Sequence, residues 1–150
     1  MSHDLIAVKF QLLTKKIGIS TVTGKVPFLG TKVSACVDLA LPFNWYINSH
    51  TYDTAELLIA FEIPKGWCLY MQPRSSTFSK RGLLIPTSVI DQDYRRGVHL
   101  QVYNMSNKAI TLDEGERLVQ VQLMPCQTTT WMQMDELQQT DRGGLGSTGL

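Results

Sequence analysis

Residues 98–103 read Val-His-Leu-Gln-Val-Tyr, and residues 119–123 read Val-Gln-Val-Gln-Leu. Strict alternation sends every second side chain to one face of an extended strand, leaving one face apolar and the other polar. On a helix, with its period of about 3.6, the same apolar residues would be scattered around the circumference. The rest of the chain follows suit. Strands are expected over residues 5–13, 57–63, 67–72 and 128–132, with Pro64-Lys65-Gly66 turning between the second and third of these. Turn signals fall at Gly30, Asn44, residues 104–107 and Asp113-Glu114-Gly115. Helix signals are confined to residues 75–81 and 134–139. Many short strands with turns between them predict an all-β barrel or sandwich. Residues 41–55 read as a loop carrying Phe43, Trp45, Tyr46 and Tyr52; packing against the domain is the commoner use of such aromatics, an interface the other.

At 150 residues and 43% hydrophobic, the chain suffices for one domain with a real core. There is no internal repeat or linker; residues 1–140 and a Gly-rich tail over 141–150 read as parts of one domain. Fourteen Lys and Arg against thirteen Asp and Glu give +1, which argues against disorder and against nucleic-acid binding by bulk charge. No apolar run approaches the roughly 18 residues of a membrane span, and no basic flank precedes an apolar leader. Cys36, Cys68 and Cys126 are odd in number and lack a C-x-x-C, as free thiols of a reducing compartment would be. With His3, His50 and His99 scattered, a zinc enzyme is not expected, and the cytoplasm (of a host, if the protein is viral) is the expected location.

The tail contains Gly144, Gly146 and Gly149 in a G-x-G-x-x-G spacing. A dinucleotide fingerprint needs a strand before it, a helix after it and an acidic residue some 20 positions on, and the context supplies none of these. The composition still suits an anion: glycine backbone N–H groups, Ser and Thr hydroxyls, and the fork of Arg142. Such a tail can fold over a phosphate chain as a lid, the alternative being an ordinary terminus.

Four further segments stand in order: Ser34-Ala35-Cys36-Val37-Asp38-Leu39, Pro73-Arg74-Ser75-Ser76, Ile90-Asp91-Gln92-Asp93-Tyr94 and Gly115-Glu116-Arg117-Leu118-Val119-Gln120. With the tail they resemble the five ordered motifs of the trimeric dUTPase family, and Phe61-Glu62-Ile63-Pro64-Lys65-Gly66-Trp67 matches between them. Hydrolysis of a phosphoanhydride needs a base for water, cations for the triphosphate and donors at the developing charge. The resemblance implies Asp91 as the water-activating base, Ser75 as donor to the oxygen bridging the α- and β-phosphates, and Gln120 on an α-phosphate oxygen or an ordered water. It implies Arg74 holding Asp91 or a phosphate, Ser76 contributing its backbone N–H or hydroxyl, and Tyr94 packing on the sugar so that no 2′-hydroxyl fits. If not functional, the two serines would merely cap a short helix. Arg142, Gly146, Ser147 and Thr148 would clamp the β- and γ-phosphates, and Asp38 would stand near a Mg²⁺ ion, through water. The implied fold is a jelly-roll-like distorted β-barrel with one short helix. The implied assembly is a homotrimer whose sites combine three chains, and the implied reaction is dUTP to dUMP and pyrophosphate.

The chain departs from the family pattern at four places. Arg96 stands where a glycine is usual in the third motif, with Gly97 one later, and Cys36 replaces a glycine in the first. The base hairpin, residues 82–91 with Thr87 and Ser88, is about two residues short, and Leu145 replaces the phenylalanine that stacks on the base. Two of these fall on base recognition, so the same chemistry on dCTP or a modified pyrimidine nucleotide is the second reading. A non-catalytic binding or regulatory trimer is the third. Deamination is disfavoured, because Gln101 occupies the place of the deaminase glutamate and an amide cannot serve as its base.

Overall fold

The structure, a computed structural model, describes residues 6–17 and 20–136. In chain order the strands begin with β1 (Lys9–Leu12), β2 (Thr14–Ile17), β3 (Ser20–Thr23), β4 (Phe28–Leu29) and β5 (Val37–Ala40). They continue with β6 (Trp45–Ile47), β7 (Tyr52–Glu56), β8 (Ile59–Glu62) and β9 (Trp67–Pro73). The helix α1 (Ser75–Arg81), the only one among the described residues, follows, then β10 (Leu83–Leu84), β11 (Ser88–Ile90), β12 (His99–Asn104), β13 (Ile110–Leu112) and β14 (Arg117–Pro125). The all-β reading with one short helix holds, and α1 has the bounds the sequence predicts. The pairing is antiparallel throughout, in five separate ladders: β11-β9-β14-β5-β4, β10-β12-β7, β1-β8, β13-β6 and β2-β3. Among the described residues these ladders do not join into one closed ring of hydrogen bonds.

The alternation that opens the sequence decides which way each strand faces. Leu100 and Val102 of β12 and Val119 and Val121 of β14 are buried, and they meet Leu39, Leu69, Met71, Leu83 and Leu112 in one core. Full burial of each such side chain contributes about 1.5–3 kcal/mol. Asn104, at the end of β12, is buried with them. Its Nδ2 donates to the carbonyls of Ile47, Asn48 and Lys108, and its Oδ1 accepts from the N–H and Oγ of Ser106. No buried side-chain nitrogen or oxygen among the described residues lacks a partner.

Four expectations change. The first strand is Lys9–Leu12, shorter than residues 5–13, and Leu5 lies outside the described residues. Residues 41–55 are not one loop: they hold β6 and the start of β7, with Trp45 buried and its indole N–H donating to Asp53 Oδ2 at 2.8 Å. Residues 128–132 form no strand and pair with no strand among the described residues; Trp131 is 91% exposed. Residues 134–136 are not helical, and the remainder of that predicted helix lies outside the described residues. No helix of the described residues is long and apolar enough to cross a membrane.

Candidate active site

The five-stranded ladder has a buried face, with Leu39, Leu69, Met71, Ile90, Val119 and Val121, and a polar outer face. On that outer face Gln120 of β14 stands level with Asp38 of β5 on one side and Gln72 of β9 on the other. Side chains level across an antiparallel ladder lie about 4.5–5.5 Å apart at Cβ, so the three form a polar row. Pro73 then ends β9, and the chain turns into α1, which delivers Arg74, Ser75 and Ser76 beside the row.

The anchoring of α1 is specific. A bulge between Arg117 and Val119 turns the Leu118 carbonyl outward, where it accepts the Arg74 N–H at 3.0 Å and the buried Thr77 hydroxyl at 2.6 Å. Arg74 is the N-cap, in extended conformation, and no side chain caps the helix. The two serines are therefore not capping residues. Ser75 is exposed and Ser76 half-buried.

Arg74 Nε lies 3.0 Å from Asp38 Oδ2, and Arg117 Nη1 lies 3.4 Å from the same oxygen. Arg74 Nη1 donates to the Arg117 carbonyl at 3.0 Å, and the Arg117 guanidinium sits 4.2 Å over the Phe28 ring. In this chain Arg74 thus grips Asp38, not Asp91. Arg74, Ser76, Lys80, Arg81 and Arg117 line a cavity of about 320 Å³, in which Glu116 pairs with Arg81 at 2.5 Å. Guanidinium forks with adjacent hydroxyls suit phosphate oxygens.

Asp91 lies elsewhere. It follows the last residue of β11, is exposed, and shares a cavity of about 200 Å³ with Ser88, Tyr94 and His99. Its carbonyl accepts the Tyr94 N–H at 3.1 Å, and the Tyr94 hydroxyl donates to the Gly97 carbonyl at 3.0 Å, which fixes the ring. A Cβ on Gly97 would fall 2.1 Å from a Glu56 carboxylate oxygen and 3.1 Å from Glu56 Cγ. The glycine displaced by one position is the one that packs closely, and Arg96 is exposed. Of the base-pocket pair, Ser88 lines the Asp91 cavity, whereas Thr87 is exposed outside it.

The ladder measures how far apart these two clusters are. Ile90 pairs with Leu69, so the next step of the register brings Asp91 level with Cys68. Gln120 is level with Gln72, four residues further along the same strand. At about 3.3 Å per residue that is about 13 Å.

Among the described residues no three His, Cys, Asp or Glu side chains gather to hold a metal ion. Asp38 has its carboxylate engaged by two guanidiniums, so the donor set does not make a protein-built magnesium cage. Arg142, Leu145, Gly146, Ser147 and Thr148 lie outside the described residues. Three residues of the site were not singled out from the sequence. Gln72 and His99 are readable as polar alternates of their strands, and Arg117 lies inside the fourth motif, but its place at a bulge beside Asp38 is not readable from the sequence.

The sequence pattern of the dUTPase family matches residues 23–149, and a protein of Aeromonas salmonicida called deoxyuridine 5'-triphosphate nucleotidohydrolase is 31% identical over 150 residues, covering 95% of this chain and 96% of its own. The chain belongs to the dUTPase family. A second relative of the same description, from Escherichia phage T5, is 42% identical over 96 residues. That match takes in 61% of this chain and 64% of the phage protein, just under two thirds of its length. Among solved structures, the dUTPase of Staphylococcus bacteriophage 80alpha with dUPNHPP superposes with a TM-score of 0.83 at 21% identity, over 96% of this chain and 99% of that one. The described strands and the single helix are therefore those of a dUTPase fold.

Proposed function

We propose that this chain hydrolyses dUTP to dUMP and pyrophosphate, as a homotrimer whose active sites are shared between chains. The observation that carries this reading is the separation of the two clusters. An attacking water and the donors that steady the α-phosphate must meet at one phosphorus, yet Asp91 and Gln120 of one chain stand about 13 Å apart along the ladder. The Arg74, Ser75, Ser76 and Gln120 cluster of one chain is completed by the Asp91 and Tyr94 cluster of a second, and by the tail of a third with Arg142, Gly146, Ser147 and Thr148.

Asp91 takes a proton from water, which attacks the α-phosphate in line with the departing pyrophosphate. Ser75 donates to the bridging oxygen as it gains charge, and Gln120 donates its amide N–H to an α-phosphate oxygen. Arg74, locked by Asp38, presents a fixed positive wall. Tyr94, held by its bond to Gly97, lies flat on the sugar face. Magnesium, when bound, neutralises the triphosphate. Such a hard cation would need oxygen ligands, and with Asp38 held by Arg74 and Arg117 the described residues would leave most of them to the nucleotide and water. We place the enzyme in the cytoplasm, a reducing compartment in which free cysteines are the rule, as the three here are.

Pyrophosphate release with Mg²⁺ is compared for dUTP, dCTP, dTTP and UTP at equal concentration. The expected result is a strong preference for dUTP, and a fall in turnover of about 10²–10⁴-fold in Asp91→Asn. Preference for another deoxynucleotide moves the substrate and keeps the mechanism; the short hairpin and Leu145 are what motivate that second reading. No release from any of the four overturns the proposal. Sedimentation equilibrium reads the trimer.

A further inference from the structure

The step of the ladder that brings Asp91 level with Cys68 also places a second thiol there. Cys68 of β9 pairs with Met124 of β14, and Cys126 lies two residues past Met124, its N–H donating to the Gly66 carbonyl at 2.7 Å. Residues two apart on a strand share a face, so Cys126 stands on the diagonal from Cys68, on the same outer face. Cys68 is half-buried and Cys126 exposed.

We propose that Cys68 and Cys126 are a reversible oxidation site beside Asp91, closed to an internal disulfide by exchange with a small-molecule disulfide. Cys126, the accessible thiol, attacks first as the thiolate. It bonds to one sulfur of the small disulfide and expels the other as a thiolate. Cys68 then gives its proton to solvent and attacks the Cys126 sulfur, releasing the second small thiolate. Two protein thiols lose two electrons, and one small disulfide becomes two thiols. Burial first, then the neighbouring Cys126 thiol, then the Asp91 charge push the Cys68 thiol up, in keeping with its role as the resolving rather than the attacking sulfur.

Diagonal Cα atoms stand about 7–8 Å apart, and a disulfide holds them within about 4.4–6.8 Å, so closure draws the chain in by roughly 1 Å. Cys126 is the group that moves, because β14 ends at Pro125. The movement has a path to the site. Cys126 is bonded to the Gly66 carbonyl, and the Gly66 N–H donates to Gln92 Oε1 at 3.0 Å, next to Asp91. Closure therefore shifts the segment that carries Asp91. That last consequence rests on the function proposed above; the thiol chemistry does not.

The test uses the full chain and oxidised glutathione. Intact mass and peptide mapping without reduction are expected to show a Cys68–Cys126 link with loss of two hydrogens. Cys68→Ser is expected to stop at a glutathione adduct on Cys126, and Cys126→Ser to leave Cys68 unmodified. A stable adduct on wild-type Cys126, a link involving Cys36, or no loss of thiols overturns the site. In parallel, dUTP turnover is expected to fall about three- to tenfold on closure and to recover with dithiothreitol, with Cys126→Ser unaffected by the oxidant. A mapped disulfide with unchanged turnover overturns the coupling to Asp91. A reduced enzyme with no turnover on any nucleotide overturns the proposed function and leaves the mapping result standing.

Discussion

Asp38→Asn separates two roles for one carboxylate. The substitution keeps shape and removes charge, leaving Arg74 and Arg117 facing each other across an amide. At 3.0 and 3.4 Å the two ion pairs have a Coulomb energy of roughly 5 kcal/mol each at an effective dielectric near 20. Most of that is offset by desolvation of Asp38, whose side chain is 13% exposed, and screened at the arginines, which are 31% and 34% exposed. A fully buried pair costs about 3–5 kcal/mol to break; with the arginines a third exposed, about 2 kcal/mol is expected here. For a domain of this length that lowers Tm by roughly 4–8 °C. Protomer concentration is held fixed, because the proposed trimer would contribute to apparent stability.

Thermal unfolding without nucleotide or metal gives the first measurement, and the Mg²⁺ dependence of dUTP turnover the second. If Asp38 positions Arg74, the variant melts earlier and turns over more slowly, while its half-saturating Mg²⁺ stays within about twofold of wild type. A variant with unchanged Tm and a Mg²⁺ requirement raised about tenfold would refute this reasoning and return Asp38 to the metal.

Gly24→Ala puts a Cβ 1.9 Å from the Leu58 carbonyl oxygen, which is backbone and cannot swing aside; a loss of about 3 kcal/mol, read by urea unfolding, is expected. Asn104→Leu strips the donor from three carbonyls and the acceptor from Ser106, for about 4 kcal/mol in the same assay with little change in the KM of the folded fraction. The Cys68 thiol is pushed up by burial, so its alkylation is expected to lag that of a free thiol of pKa about 8.5. The unfolded chain ionises this thiol first. Wild type therefore loses stability relative to Cys68→Ser as pH rises from that value through the raised one, and parallel stability curves would count against it.

What was legible in the sequence was whatever local periodicity encodes. Alternation in β12 and β14 placed Leu100, Val102, Val119 and Val121 inside, and it placed Gln120 on the outer face. The expected bounds of α1 are met, and in the structure an extended Arg74 and a left-handed Gly82 at the C-cap set them. Residues 41–55 misled because β6 is only three residues long, too short to show a period, and its partner β13 lies about 65 residues away. Residues 128–132 misled in the opposite sense: their side chains favour a strand, but a strand exists only where an edge accepts it. The hold of Arg74 on Asp38 was not readable, because it depends on β5 and β14 being neighbours and on a bulge at Leu118 that turns the helix onto the sheet.

In the proposed function, residues at opposite ends of a strand belong to one reaction, and the spacing of the two clusters decides how. A rigid ladder cannot bring Asp91 to Gln120: about 13 Å of β9 lies between their rows, and bending it would break the core beneath Leu69 and Met71. If the function proposed here is right, every active site needs at least two chains, and the chemistry is a property of the assembly. Mixing inactive Asp91→Asn with inactive Gln120→Leu tests this without reference to fold or metal. Random reassortment into shared-site trimers is expected to restore activity to the mixture, since some interfaces join an intact Asp91 to an intact Gln120. Mixtures that stay as inactive as either parent, with subunit exchange verified by mass, would mean that each site lies within one chain and that the ladder distance has been bridged in a way the register forbids.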